Sequence, residues 1–253
     1  MTFLADDEPS PFEVVGEGAR SPYVLVCDHA GRALPRAVGS LGLAARELER
    51  HIAWDIGAAA LSRELREALD GFLILQTYSR LVIDCNRPLS SPDSIAKRSE
   101  DTLIPGNHEL SREQAELRAR SIFEPYHARI RRELDDRASS GRASLLIFVH
   151  SFTPTFRGVA RPWHAGVLYH RDTRLARPLL DALRREPGLV VGDNEPYAAS
   201  VLTDYGMIEH AERRGLPYVE LEVRQDLLGD SSGIRTWADR LARLLKESAV
   251  FPR

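Results

Sequence analysis

Four stretches of the chain place reactive side chains at the end of an apolar run or inside one. Tyr23 to Cys27 is continuously apolar and stops at Asp28-His29. Leu81-Val82-Ile83 leads into Asp84-Cys85-Asn86-Arg87, and Leu145 to Val149 into His150-Ser151. Glu222 lies inside the apolar stretch Val219 to Val223, where a carboxylate is costly unless it is paired or ligated. Histidines and carboxylates scattered in this way suit a catalytic zinc, which takes three protein N or O ligands and leaves a fourth position for water. Each histidine also has a plainer reading, as a helix cap or a hydrogen-bonded core residue. The usual signatures of other chemistries are missing: GxGxxG, a P-loop, GxSxG, HExxH and CxxC. Their absence counts against a nucleotide enzyme, a serine α/β-hydrolase and a zincin.

The elements that must position these residues alternate between strand and helix. Tyr23 to Cys27, Phe72 to Thr77, Leu81 to Cys85, Ser144 to Val149, Ala165 to Tyr169, Leu189 to Val191 and Tyr218 to Val223 read as strands. Runs that are apolar on both faces predict central strands of a covered sheet. Helical periodicity marks Glu47 to Leu69, Ser111 to about Ala138 with a kink at Pro125, Thr173 to Arg185 and Ile234 to Ser248. The alternation predicts an α/β fold with a largely parallel sheet. In such sheets ligands bind at the carboxyl ends of the strands, where the polar residues above fall. Residues 1–20, rich in Asp, Glu, Pro and Gly, read as an irregular lead-in, and residues 21–253 as a single α/β domain.

The chain has 253 residues, 43% hydrophobic and 28% charged, enough for one sizeable core. A net charge of -3 and mixed-sign basic runs argue against a nucleic-acid partner. No apolar stretch is long enough for a membrane span. The two cysteines, Cys27 and Cys85, lie in apolar runs and read as buried free thiols. The acidic start lacks a signal-peptide pattern. These features predict a cytoplasmic protein acting on a small molecule, with its oligomeric state open.

Several segments, taken in order, resemble the N-formylglutamate amidohydrolase family. They are Cys27-Asp28-His29-Ala30-Gly31; His51-Ile52-Ala53-Trp54-Asp55-Ile56-Gly57; Tyr78 to Pro88; and Phe148-Val149-His150-Ser151-Phe152-Thr153-Pro154. Gly192-Asp193-Asn194-Glu195-Pro196-Tyr197 and Arg214 to Leu227 complete the series. The resemblance runs from about residue 20 to residue 245. Its most persuasive part is Arg80 to Pro88 in the ordered combination.

The resemblance implies a three-layer α/β/α fold with a mostly parallel mixed sheet, similar to zinc carboxypeptidases, phosphorylases and aspartoacylase. It implies one zinc ion per chain and hydrolysis of an N-acyl amino acid, such as N-formylglutamate to glutamate and formate, a last step of histidine degradation. Another N-acyl amino acid or a small peptide is an alternative substrate. A catalytically inactive carboxylate-binding protein is an alternative of a different class. His29 and His150 are implied as two zinc ligands. The relatives' His-x-x-Glu pair is broken here, because Arg32 stands where the Glu would be and cannot ligate zinc. An Asp in this region follows the first His in formylglutamate hydrolases, so the resemblance implies Asp55 as the third ligand, with His51 as the alternative. Glu222 matches the catalytic Glu, a general base toward water and then a proton donor to the leaving amine. Glu220 is read as facing away from the site. Arg80 resembles the arginine that stabilises the oxyanion. Asn86 and Arg87 resemble the pair that grips the substrate α-carboxylate. Asn194, Tyr197 and His210 are assigned to the substrate pocket.

Overall fold

The computed structural model describes residues 3–249. Seven strands form one mixed sheet: β1 (Phe12–Val15), β2 (Tyr23–Cys27), β3 (Phe72–Gln76), β4 (Leu145–Phe152), β5 (Ala165–Leu168), β6 (Val191–Asp193) and β7 (Tyr218–Arg224). Their order across the sheet is β1-β3-β2-β4-β7-β5-β6. The central strands β3, β2, β4 and β7 are mutually parallel. β1 lies antiparallel on β3, and β5 antiparallel on β7, with β6 parallel to β5. Every residue of β2, β3, β4 and β5 is buried, as expected where helices cover both faces.

Five helices supply those covers: α1 (Ala58–Leu69), α2 (Arg112–Arg118), α3 (Glu124–Ser139), α4 (Ala176–Arg184) and α5 (Ser231–Ser248). α1, α4 and α5 pack on one another and form one layer. From β2 through α1 the chain steps outward to β3. From β3 through α2 and α3 it steps back across β2 to β4. Right-handed crossovers in opposite directions put their helices on opposite faces. β2 and β4 are thus neighbours whose onward connections diverge, and a crevice opens above their carboxyl ends.

Local chemistry explains where the elements depart from the sequence reading. The stretch read as one helix from Glu47 is a single turn, Ala45–Leu48, followed by turns up to Gly57. Gly57 has φ +83°, and a Cβ there would lie 2.5 Å from Leu228 Cβ, so α1 begins only after it. The helix from Ser111 is divided by a π-helical turn, Ala119–Phe123, directly before Pro125 enters the first turn of α3. Leu81 to Cys85 is not a strand but a buried chain of turns. The segment read as a loose lead-in contributes the edge strand β1. Among the described residues, no helix is long and apolar enough to cross a membrane.

Candidate metal centre and active site

The crevice is walled by three loops tied to one another by backbone and side-chain hydrogen bonds. The loop after β2 carries Asp28 and His29. The turn carrying Asp55 is pinned to it, because the Asp55 N–H donates to the His29 carbonyl at 2.9 Å. The loop after β3 is joined through Ser79, whose hydroxyl donates to the Ala53 carbonyl at 2.7 Å. Gly31 allows the closest approach: a Cβ there would lie 1.9 Å from the Thr77 carbonyl oxygen. His150 sits on β4 and Glu222 on β7, and the two are paired in register.

His29, Asp55 and His150 converge. Asp55 Oδ2 lies 2.9 Å from His150 Nδ1 and 3.5 Å from His29 Nδ1. One ligand atom from each of the three lies within 4.8 Å of the others, and all three residues are buried. Each ring also turns its far nitrogen to a carboxylate. His29 Nε2 is 2.7 Å from Asp84 Oδ1. His150 Nε2 faces Asp28 Oδ2 at 3.7 Å and Glu220 Oε2 at 3.9 Å. At His29 the carboxylate behind the ring favours the Nε2–H tautomer and leaves the Nδ1 lone pair for the site, whereas His150 Nδ1 is hydrogen-bonded to Asp55 Oδ2 and its Nε2 has no hydrogen-bond partner. Both Nδ1 atoms point to the space beside Asp55.

The charge balance of this group suits a cation. His29 Nδ1 is buried with no hydrogen-bond partner, and so is Glu222 Oε2. Burial opposes ionisation of Asp55, but His29 and His150 outweigh it and hold the carboxyl below the usual range. Two imidazoles and a carboxylate that converge, with His29 Nδ1 left without a partner, are a fitting donor set for zinc. His51, the alternative ligand, lies at the rim with Nε2 3.3 Å from Glu100 Oε1. Arg32 is exposed, paired with Glu49 and stacked over Trp54. The third residue after His29 thus has no share in the group.

Asp84 organises the second wall. Its Oδ2 accepts from Arg80 Nη2 at 2.7 Å and Nε at 3.1 Å, while its Oδ1 takes the Asn86 N–H at 2.8 Å. Burial works against this charge, but Arg80 and His29 hold the carboxyl well below its ordinary range. Arg80 also reaches Asp55 Oδ1 at 3.5 Å. Asn86 Oδ1 accepts from the Gly206 N–H at 3.2 Å, which leaves its amide NH₂ free to donate. Arg87 uses Nη1 on the Thr203 and Asn86 carbonyls.

His29, Asp55, His150, Glu222, Arg80, Asn86, Arg87 and Tyr197 all border one cavity of about 610 Å³, within the range of small-molecule sites. Glu222 is 5% exposed, and burial pushes its carboxyl up to about 8. Asn194 and His210 do not border the cavity. Asn194 sits at the end of β6 with φ +53°, its Oδ1 accepting from the Tyr169 N–H at 2.9 Å. His210 is fully buried and hydrogen-bonded to His127 at 2.9 Å. Glu220 corrects the expectation that it faces away. Residues two apart on a strand share a face, and both glutamates border the cavity. Asp84 had no role in the sequence reading; its signal was an acid four residues after Arg80, at the end of an apolar run.

A buried His-Asp-His group beside an unpaired glutamate, at the carboxyl ends of parallel strands, is the apparatus of a hydrolase. A family model described as N-formylglutamate amidohydrolase matches residues 21–229. The chain belongs to the N-formylglutamate amidohydrolase family, and it is a hydrolase acting on amide bonds. A gene product of Agrobacterium tumefaciens has a crystal structure similar to this chain, with 34% identity, TM-score 0.94 and 97% of each chain covered. An N-formylglutamate amidohydrolase from Ralstonia eutropha shares the fold at 20% identity and TM-score 0.68, covering 95% of this chain and 97% of its own. Among curated proteins none matches the chain.

Proposed function

We propose that this chain is a zinc-dependent hydrolase that removes the N-acyl group of an amino acid, with N-formylglutamate as substrate and glutamate and formate as products. The observation that carries this reading is the convergence of His29 Nδ1, His150 Nδ1 and Asp55 Oδ2 beside the unpaired Glu222 Oε2. His29, Asp55 and His150 would hold the metal. When bound, a zinc ion supplies Lewis acidity toward water and the carbonyl and favours the ionised form of Glu222.

The protein's own groups carry the rest. Glu222 Oε2 takes a proton from the attacking water and delivers it to the amide nitrogen as the C–N bond breaks. Arg80, held by Asp84 and Asp55, directs its guanidinium at the charge that develops on the acyl oxygen. The Asn86 amide and the remaining Arg87 nitrogens bind the α-carboxylate. The buried free thiols Cys27 and Cys85 support a reducing, cytoplasmic setting, where the reaction would serve histidine degradation.

The test is elemental analysis of protein purified without a metal-affinity tag, together with formate release from N-formylglutamate. About one zinc per chain is expected, with zinc and turnover both lost in His150→Ala. Full activity in metal-free protein would overturn the zinc assignment. Turnover of N-acetyl but not N-formyl amino acids would move the substrate to another acyl group.

A further inference from the structure

Arg161 stands out among the arginines near the cavity because it is buried and no carboxylate contacts it. Its residue is 8% exposed. Its guanidinium carbon lies 4.7 Å from the centroid of the Phe156 ring, 4.8 Å from that of Tyr197 and 5.7 Å from that of Phe152. Its hydrogen-bond acceptors are the Tyr197 hydroxyl at 3.0 Å and the Thr153 carbonyl at 3.5 Å. None of these partners is a carboxylate. A buried cation is costly unless it is paired, and ring faces repay only part of that cost. All four partner residues border the cavity. Arg161 therefore sits one layer behind the wall with no carboxylate in contact, and its charge also acts on the buried Glu222 carboxyl.

Tyr197 carries that charge to the surface of the cavity. Its oxygen accepts from Arg161, and among the described residues the hydroxyl has no acceptor of its own. The phenolic proton is free to be donated inward, and the guanidinium behind it makes the phenol a stronger donor. Arg87 is also free of any carboxylate, since its hydrogen bonds go to the Asn86 and Thr203 carbonyls. Arg80, by contrast, is neutralised by Asp84 and Asp55. The cavity thus has two guanidiniums that no protein carboxylate contacts directly.

We propose that Arg161, acting through the Tyr197 hydroxyl, is the positioning residue that selects substrates with a second carboxylate on the side chain. This inference rests on the proposed function and deepens it. The α-carboxylate is left to Asn86 and Arg87, and the side-chain carboxylate goes to Tyr197. An N-acyl glutamate or aspartate fits this division, and a neutral side chain offers that hydroxyl no carboxylate.

The experiment compares kcat and KM for N-formylglutamate and its neutral isostere N-formylglutamine in the zinc-loaded enzyme. The variants are Arg161→Met, which keeps the packing of the stem, Arg161→Lys and Tyr197→Phe. The wild type should prefer the dicarboxylate. In Arg161→Met and in Tyr197→Phe that preference should shrink by about tenfold or more, through KM, the loss expected for one charge-assisted hydrogen bond. Arg161→Lys should restore part of it. An equal fall on both substrates, or an unchanged preference in Arg161→Met, would overturn the proposal. Calorimetric binding of glutarate and butyrate separates its fate from that of the proposed reaction. Arg161-dependent preference for glutarate in a protein that releases no formate would sustain the selection and remove the activity. Absence of any preference for glutarate in the wild type would remove the selection, whatever the turnover.

Discussion

At the scale of single residues, the site depends on which atoms are left without partners. Glu222 is buried beside His150 in register, and its Oε2 meets no donor. A structural glutamate in that place would be tied to Arg224 or Arg80. Arg224 instead pairs with Asp226, and Arg80 with Asp84 and Asp55. Glu222→Gln keeps the shape and the residues of the proposed metal site but removes the proposed proton acceptor. Turnover is expected to fall by about a hundredfold to ten-thousandfold, the range of general acid–base catalysis, with the zinc content unchanged. Steady-state rates and elemental analysis on the same preparation check this, and an active Glu222→Gln would transfer the proton role to another group. His29 and His150, the proposed ligands, could be picked out in the sequence because each follows an apolar run. Glu220 was legible too, once the two-residue period of a strand is applied. Arg161 was not, because no local pattern marks an arginine that folds in between the rings of the preceding Phe152 to Phe156 stretch and the distant Tyr197.

At the scale of elements, the connections are less regular than periodicity suggests, and the irregular parts hold the site. Asp55 lies in turns that the apolar spacing of Glu47 to Leu69 presented as helix. Asp84 and Asn86 lie in turns that an apolar run presented as strand. In both cases burial produced the pattern, and burial does not discriminate between a strand, a helix and a packed loop. The loop after β2 is held against the loop after β3 at Gly31, where a Cβ would be 1.9 Å from the Thr77 carbonyl oxygen. Gly31→Ala must push these loops apart, and with them His29 and the Asp55 turn. A loss of at least about 1–3 kcal/mol is expected for such overpacking, accompanied by weakened metal retention. Thermal melting and zinc content read the two effects. A melting temperature and zinc content equal to wild type would show that the loops can yield without moving the ligands.

At the scale of the whole molecule, the interior holds polar groups that the fold keeps neutral at some cost in acid. His127 and His210 lie in the core beneath the Cys85 to Arg87 turn. His127 Nε2 is 2.9 Å from the Cys85 carbonyl, and its Nδ1 is 2.9 Å from His210 Nε2. With Nε2–H donating to that carbonyl, His127 Nδ1 must accept from His210, so a proton on Nδ1 would break the chain. Burial lowers the His127 pKa to about 4 and holds that of His210 well below the ordinary imidazole value. In the unfolded chain both rings take up protons below about pH 6.5. Their contribution to stability is therefore complete above that pH and is lost as the pH falls toward 4. Each refused proton costs about 1.4 kcal/mol per pH unit in that window. Burial pushes the Glu220 and Glu222 carboxyls up, which acts in the opposite sense over the same range, so the histidine share is read as a difference. The melting-temperature advantage of wild type over His127→Phe is expected to shrink from pH 6.5 to pH 4.5, with the His127 ring still neutral at pH 5 by NMR. A ring that titrates near 6.5 in the folded protein would remove the effect.

Some properties were settled by the sequence alone, because they depend on local pattern. Most of the runs apolar on both faces are covered strands, so the α/β class and most of the sheet were readable. The polar residue after each run marked the carboxyl ends of the strands as the ligand edge. The ordered segments from Cys27 to Leu227 pointed to the family. What the tertiary structure alone decided is which of those ends meet. The divergence of the chain at β2 and β4 brings His29 to His150, and the parallel register of β4 and β7 sets Glu222 beside them. The same packing brought Asp55 to the two imidazoles and left His51 at the rim. It also placed Asn194 and His210 outside the cavity and put Arg161 behind its wall. Contacts between residues far apart in the chain decide such matters, and no short-range pattern records them.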